Sequence, residues 1–393
     1  MITLKGALAT VYKLERQLVE QDRWGPLAAG MWHMPGLMTR SIAAGWAGYL
    51  GGLSARDVEL VDIIRDGRKF WRAYTAKGTP QWAHPNAIRA QWPLARLRDY
   101  SVRSPESVVP TLVLPPQSGH TSCVVDYSRS RSQMMVMRAA GLTNLHCLDW
   151  RPATRGTRDT GVEDYLAIVD ESIDPLGGGA NVVGDSQGGW LAVIYAALHR
   201  EKVHTLTIGG APVDFHAALG MGQTHENTVG RVLFWLARLS VISGRGLHRG
   251  AVQAWGIRLF DPLSEVDRVM RLWAGIDDPD VIDRYTALNR WLHTPQDMPG
   301  RMFLWTVRHL FVNNELIKGE LRVDGRIVEL AAIDCPLFLL AGRNDPAAPP
   351  TQVWALAERV STPPEMIVRE EANAGHLQLF LSNAVLQNHG RRS

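Results

Sequence analysis

A single segment around Ser186 constrains the fold of this chain more than any other feature. The residues Gly184–Gly189, with the sequence GDSQGG, directly follow the apolar run Ala180–Val183 and directly precede Trp190–Ile194. In a Gly-x-Ser-x-Gly elbow the chain turns so sharply from strand to helix that a Cβ at either flanking glycine would clash. The segment therefore predicts a strand–elbow–helix unit with an exposed serine hydroxyl. The alternative interpretation is an ordinary strand-to-helix turn in which the serine caps the helix.

Strand and helix patterns alternate on both sides of this elbow. Continuous apolar runs are typical of parallel strands buried on both faces, so we expect a mostly parallel sheet. The predicted strands are Val108–Leu114, Asn144–Asp149, Ala180–Val183, Val203–Ile208, Pro336–Ala341 and Glu365–Val368. The predicted helices are Tyr127–Ala140, Val162–Ile173, Gly188–Leu198, Thr351–Val360 and a closing helix from Leu377.

The pattern divides the 393 residues into four segments. We expect a helical N-terminal extension over 1–105, the first part of an α/β core over 106–212, a helical cap insertion over 213–332, and completion of the core over 333–393. Within the cap, only residues 321–328 have a strand-like pattern. The sequence thus predicts an α/β-hydrolase fold, in which a mostly parallel central sheet carries a cap.

Composition excludes several classes of function. Lys and Arg outnumber Asp and Glu by only 42 to 39, which predicts no nucleic-acid partner. Three widely spaced cysteines, with no Cys-x-x-Cys pair, favour free thiols in a reducing cytoplasm over disulfides or a zinc site. We expect no signal peptide, transmembrane span or cofactor. Trp24, Trp32, Trp46 and Tyr49 belong either to a helical layer packed on the main domain or to a surface that contacts lipid or polymer.

An elbow serine needs a base and an orienting acid, and in this fold the chain order is serine, acid, histidine. Asp345 follows the strand predicted at Pro336–Ala341, and His376 follows the last predicted strand. Both lie where loops leave the carboxyl ends of parallel strands, the edge at which active sites form in such sheets. We therefore predict Ser186, Asp345 and His376 as catalytic residues. Asp214 is the alternative acid.

Acyl transfer also needs donors for the oxyanion of the tetrahedral intermediate. The backbone N–H after the nucleophile belongs to Gln187, which predicts the first donor. The second is expected in the loop after the strand that ends at Leu114. Because Pro115 and Pro116 have no N–H, Gln117 or a neighbour is the candidate.

With these motifs the chain resembles the polyhydroxyalkanoate synthase family of α/β-hydrolase-fold proteins. The similarity covers roughly residues 80–385 and follows separated motifs in one order. They are Val113–Gln117, Asp149–Arg151, the elbow with its doubled glycine, Gly210–Phe215, Trp291, Met298–Gly300, Asn313–Leu316, Val328–Leu330, Ile333–Pro336, the Asp345 loop and Gly375–His376.

The chain departs from this family at the reacting atom, because polymerising members use cysteine where it has Ser186. A thioester passes its acyl group on more readily than a seryl ester does. Three hypotheses stay open. The chain is a serine esterase or thioesterase acting on hydroxyacyl esters, including polyester or its oligomers; a synthase-type acyltransferase using hydroxyacyl-CoA; or a non-catalytic protein that binds polyester granules or a synthase subunit. A homo-oligomer is compatible with each.

Overall fold

An eight-stranded sheet forms the centre of the fold in a computed structural model that describes residues 26–56, 59–102, 108–117, 119–217, 223–260 and 262–381. The sheet order is β1-β2-β4-β3-β5-β6-β7-β8, with β2 antiparallel to both of its neighbours and all other pairs parallel. This arrangement confirms the predicted α/β-hydrolase fold. The strands are β1 Ala87–Gln91, β2 Ala95–Asp99, β3 Thr111–Leu114, β4 Leu145–Trp150, β5 Ala180–Asp185, β6 Val203–Gly209, β7 Leu337–Gly342 and β8 Ile367–Ala372.

Along the chain, helices lie before, between and after the strands, and they make up most of residues 223–318. They are α1 Pro26–Ser54, α2 Leu60–Tyr74, α3 Gln133–Ala139, α4 Val162–Ile173, α5 Gln187–Leu198, α6 Gln223–Ser243, α7 Gly250–Phe260, α8 Pro262–Ala274, α9 Pro279–Leu292, α10 Gly300–Trp305, α11 Glu315–Lys318, α12 Pro350–Trp354 and α13 His376–Leu381. A π-helical turn over Thr306–Val312 continues α10. None of the described helices is long and apolar enough to cross a membrane.

The central strands and the helix that follows the elbow are almost entirely buried. Every residue of β3 and β4 is buried, and so is all of β5 except Asn181, because these strands are covered on both faces. Helix α5, which starts at the elbow, is buried from Gly188 to Ala197. Five of the six predicted strands lie within three residues of their observed bounds, since continuous apolar runs indicate such burial. The sixth, predicted at Glu365–Val368, ends four residues later, at Ala372, because this edge strand is only partly buried.

The sheet begins earlier than the sequence predicted. Strands β1 and β2 form a hairpin inside the segment 1–105, which was predicted as a helical extension, so that boundary is wrong for residues 87–99. Both strands are rich in arginine and have few β-branched residues, which hid the strand pattern. Ion pairs Arg89–Asp99 and Arg98–Asp149 accommodate these charges at the edge of the sheet. Residues 321–328 form only a small hairpin outside the main sheet, in which Arg322–Val323 pairs with Arg326–Ile327.

The chain divides into two compact units. Among the described residues, one comprises those within 26–70 and 262–278, and the other, those within 71–260 and 279–381, contains the whole sheet. Within the first unit, the ring of Trp273 on α8 lies 4.3 Å from that of Tyr49 and 5.4 Å from that of Trp46, centroid to centroid. These aromatic contacts group α8 with the N-terminal residues, although it was predicted as part of the cap. Trp24 lies outside the described residues, and the side chain of Trp32 is not described either.

Candidate active site

Ser186 lies at the turn between β5 and α5 with φ 52° and ψ −114°, a strained conformation for a residue with a side chain. The turn is possible because its neighbours are glycines. A Cβ on Gly188 would lie 1.8 Å from the carbonyl oxygen of Leu114, and one on Gly184 would lie 2.5 Å from that of Gly188. The close approach of β3 to the elbow therefore requires glycine. It leaves the serine half-buried at the carboxyl end of the sheet.

A chain of hydrogen bonds links the three residues predicted as a triad. The hydroxyl oxygen of Ser186 lies 2.9 Å from Nε2 of His376, and Nδ1 of His376 lies 2.7 Å from Oδ2 of Asp345. His376 is the first residue of α13, directly after β8, and Asp345 lies in the loop after β7. Because β7 and β8 are parallel, both loops emerge at the same edge of the sheet as the elbow.

The loop after β7 holds the carboxylate of Asp345 firmly. Its Oδ1 accepts hydrogen bonds from the backbone N–H groups of Ala347, at 2.8 Å, and Ala348, at 2.9 Å. The Asp345 side chain is fully buried, whereas that of His376 is 23% exposed. A buried acid that faces a partly exposed imidazole can stabilise the imidazolium formed when the ring accepts a proton.

Asp214, the alternative acid, is engaged elsewhere. Its Oδ1 accepts hydrogen bonds from the side-chain amide of Asn314, at 2.7 Å, and from the backbone N–H groups of His216 and Ala217. These bonds close the turn that follows β6. The structure thus brings Asp345, and not Asp214, to His376.

Both residues predicted as oxyanion donors lie beside the elbow. Gln187 is the first residue of α5, so its backbone N–H lies at the helix N-terminus. The backbone N–H of Gln117 donates to the side-chain Oε1 of Gln187 at 3.1 Å. The side chain of Gln117 is itself fixed, since it donates to the carbonyl of Arg151 and accepts from the hydroxyl of Tyr165. The side-chain oxygen of Gln187 thus already accepts the hydrogen bond of the Gln117 N–H, the group predicted to bind the oxyanion.

Sequence reasoning missed Asp185, the residue before the serine. Its carboxyl group is buried, accepts one hydrogen bond from Nε2 of Gln133 at 3.3 Å, and has an Oδ2 without a partner among the described residues. Burial raises the pKa of Asp185 to about 7, although Gln133 and the nearby His376 oppose the shift. The only sequence signal is an acidic residue at the end of an otherwise apolar strand.

A family model covers most of the chain. Residues 105–392 match the family described as "Protein of unknown function (DUF3141)". The chain belongs to this family. The DUF3141 match includes β3–β8, the elbow and the loops of Asp345 and His376, so the whole candidate site lies inside it.

Curated relatives of this DUF3141 protein confirm the resemblance to polyhydroxyalkanoate synthases. The "Poly(3-hydroxyalkanoate) polymerase subunit PhaC" of Haloarcula marismortui is 25% identical over 268 residues, which span 66% of this chain and 55% of that protein. The protein of the same name from Allochromatium vinosum is 24% identical over 269 residues, 66% of this chain and 72% of its own length. The match thus spans little more than half of the first relative.

Among solved structures, a Bacillus megaterium epoxide hydrolase has a TM-score of 0.49 at 14% identity, covering 76% of this chain and 96% of its own. The monoacylglycerol lipase of Paleococcus ferrophilus has a TM-score of 0.46 at 18% identity, covering 76% and 95%.

Proposed function

We propose that this protein is a serine hydrolase that cleaves hydroxyacyl esters, including polyhydroxyalkanoate oligomers, through a seryl acyl intermediate. The observation that carries the proposal is the continuous hydrogen-bond chain Ser186–His376–Asp345, with heavy-atom distances of 2.9 and 2.7 Å. Both are within the range in which a base can accept the proton of a nucleophile.

Each side chain has a defined step in this mechanism. Nε2 of His376 accepts the hydroxyl proton as the oxygen of Ser186 bonds to the substrate carbonyl carbon, and the carbonyl oxygen becomes an oxyanion. The ester C–O bond then breaks, and the alcohol leaves with the proton from His376. Water attacks the seryl ester with His376 again as base, which releases the acid and restores Ser186. Asp345 accepts the Nδ1–H bond throughout and stabilises the imidazolium.

Backbone donors complete the proposed chemistry. The N–H groups of Gln187 and Gln117 would bind the oxyanion, since both follow the pattern for this fold. The side chain of Gln187 now accepts from the N–H of Gln117, so it must turn away before the oxyanion can bind there. The amide oxygen of Gln187 accepts the same N–H that the substrate oxygen would use.

A second candidate function is acyl transfer from hydroxyacyl-CoA to a growing polyester. The PhaC relatives favour it, because their names describe polymerases. Serine at position 186 favours hydrolysis, because a seryl ester is a less activated acyl donor than a thioester. A non-catalytic role in binding a polyester granule would need no activated serine.

Replacing the nucleophile tests the proposal. We expect the wild-type protein to hydrolyse p-nitrophenyl butyrate and to react with a fluorophosphonate probe. Ser186→Ala should lose on the order of 10⁴-fold or more in kcat and all labelling. The exposed Ser361, just before the amino end of β8, gives the control variant Ser361→Ala, which should behave as wild type. Equal turnover in Ser186→Ala and wild type would refute the assignment of Ser186 as the nucleophile.

The two reactions separate with one substrate. With 3-hydroxybutyryl-CoA, the proposed hydrolase releases free 3-hydroxybutyrate and CoA in equal amounts. Release of CoA with growth of insoluble polyester would establish the acyltransferase instead. A wild-type protein that neither turns over these substrates nor reacts with the probe would leave only the non-catalytic role.

A further inference from the structure

Helix α6 exposes an apolar face to solvent. Six of its apolar side chains are between 41% and 67% exposed: Val232, Leu233, Trp235, Leu236, Leu239 and Ile242. A surface helix normally turns such a stripe toward the core and its polar residues outward. In α6 this arrangement is reversed.

Small residues explain how the helix packs with this face outward. Over residues 230–243, where the side chains of α6 are described, the buried positions are Gly230, Ala237 and Val241, which lie on one side of the helix at 3.6 residues per turn. Gly230 approaches the π-helical turn so closely that a Cβ there would lie 2.8 Å from Val312. The six exposed apolar residues cover about half of the circumference on the opposite side. Helix α7 adds Val252, 51% exposed, and Trp255, 65% exposed.

Arginine is the charged residue type in most of this part of the sequence. Residues 227–260 contain five arginines and neither aspartate nor glutamate. Arg231 and Arg238 lie on α6 between the apolar face and the buried side, and Arg245 follows the helix end; all three are exposed. Arg249 pairs with Asp297. Among the carboxylates whose side chains the structure describes, none pairs with the other three exposed arginines. Cations therefore border the exposed apolar side chains.

We propose that the α6–α7 surface docks on an anionic lipid bilayer. Apolar and tryptophan side chains at the boundary of the acyl region, with arginines beside the phosphates, are the pattern of a helix that lies in a membrane interface. A second copy of the chain is a less favourable partner for this surface. A two-fold contact would place the arginines of both copies close together, and their charges would repel. This surface acts independently of the hydrolase chemistry.

Vesicle sedimentation tests the proposal. The full chain should sediment with vesicles of phosphatidylcholine containing 30% phosphatidylglycerol, in a salt-sensitive way, and much less with pure phosphatidylcholine. Arg231→Gln with Arg238→Gln should weaken partitioning about 30-fold, since each arginine near an anionic surface contributes roughly fivefold. Arg359→Gln with Arg369→Gln removes the same charge from exposed sites elsewhere and should bind as wild type. Thermal unfolding checks that both variants fold.

Three outcomes of the sedimentation experiment would overturn the proposal. They are no sedimentation of the wild type with anionic vesicles, equal binding to both kinds of vesicle, and equal weakening in the two double variants. A dimer seen by light scattering without lipid, and lost in Leu236→Ser with Leu239→Ser, would assign the face to a second copy instead.

Discussion

Asp345 and Asp185 are both about 3% exposed, yet the structure supports them in opposite ways. Asp345 accepts three hydrogen bonds, two from backbone N–H groups of its own loop and one from His376. Asp185 accepts one, at 3.3 Å from Gln133, and its Oδ2 has no partner in the described part of the chain.

This difference shows that two equally buried carboxyl groups can have very different hydrogen-bond support. Donors that surround an anion replace the water it loses, whereas a buried carboxyl with few donors keeps its proton. The loop of Asp345 is therefore suited to a carboxylate opposite an imidazolium. At Asp185, burial raises the pKa to about 7, so the group is mostly neutral in mildly acidic solution.

The largest expected effect comes from removing the charge of Asp345. Asp345→Asn keeps the size of the side chain, but its amide can stabilise the wrong tautomer of His376, so we expect kcat for p-nitrophenyl butyrate to fall on the order of 10⁴-fold. The exposed Asp334 supplies the control Asp334→Asn, which should retain activity. A loss of less than tenfold in Asp345→Asn would show that the supported carboxylate is not the orienting acid.

Asp185→Asn should change stability in a pH-dependent way. Unfolded Asp185 ionises near pH 4, whereas the folded group ionises near pH 7, so the folded state holds an extra proton between these values. The contribution of Asp185 to the free energy of unfolding therefore falls as pH rises through this window. Asparagine removes the titration, so the variant should match wild type near pH 4 and exceed it by up to about 4 kcal/mol at pH 8.

Urea unfolding of both proteins at pH 4.5, 6 and 8 measures this difference. Other titrating groups cancel in the comparison because both proteins carry them. A difference that is constant across these pH values would mean that Asp185 is ionised in the fold throughout, and the contrast with Asp345 would disappear.

Sequence reasoning anticipated what depends on chain order and apolar runs. Buried parallel strands identified the sheet, and the fixed order of serine, acid and histidine in this fold led to the prediction of Asp345 and His376, whose side chains lie within hydrogen-bonding distance of each other. It could not anticipate β1 and β2, whose arginines pair with Asp99 in the same hairpin and with Asp149 on β4 only once the sheet has formed. It could not anticipate the raised pKa of Asp185 either, because that shift comes from burial in the assembled fold, and the one hydrogen-bond donor found for Asp185, Gln133, lies on helix α3.

The smallest effect is expected at Asp214, the acid that sequence order left as an alternative. Asp214→Ala removes the acceptor for two backbone N–H groups and for Asn314, so we expect a loss of about 1–2 kcal/mol in the free energy of unfolding, as for a lost cap. Turnover of p-nitrophenyl butyrate should change less than threefold, because Asp214 supports a turn and does not contact His376. A thousandfold loss of kcat in a folded Asp214→Ala protein would indicate that Asp214, and not Asp345, is the acid that orients His376.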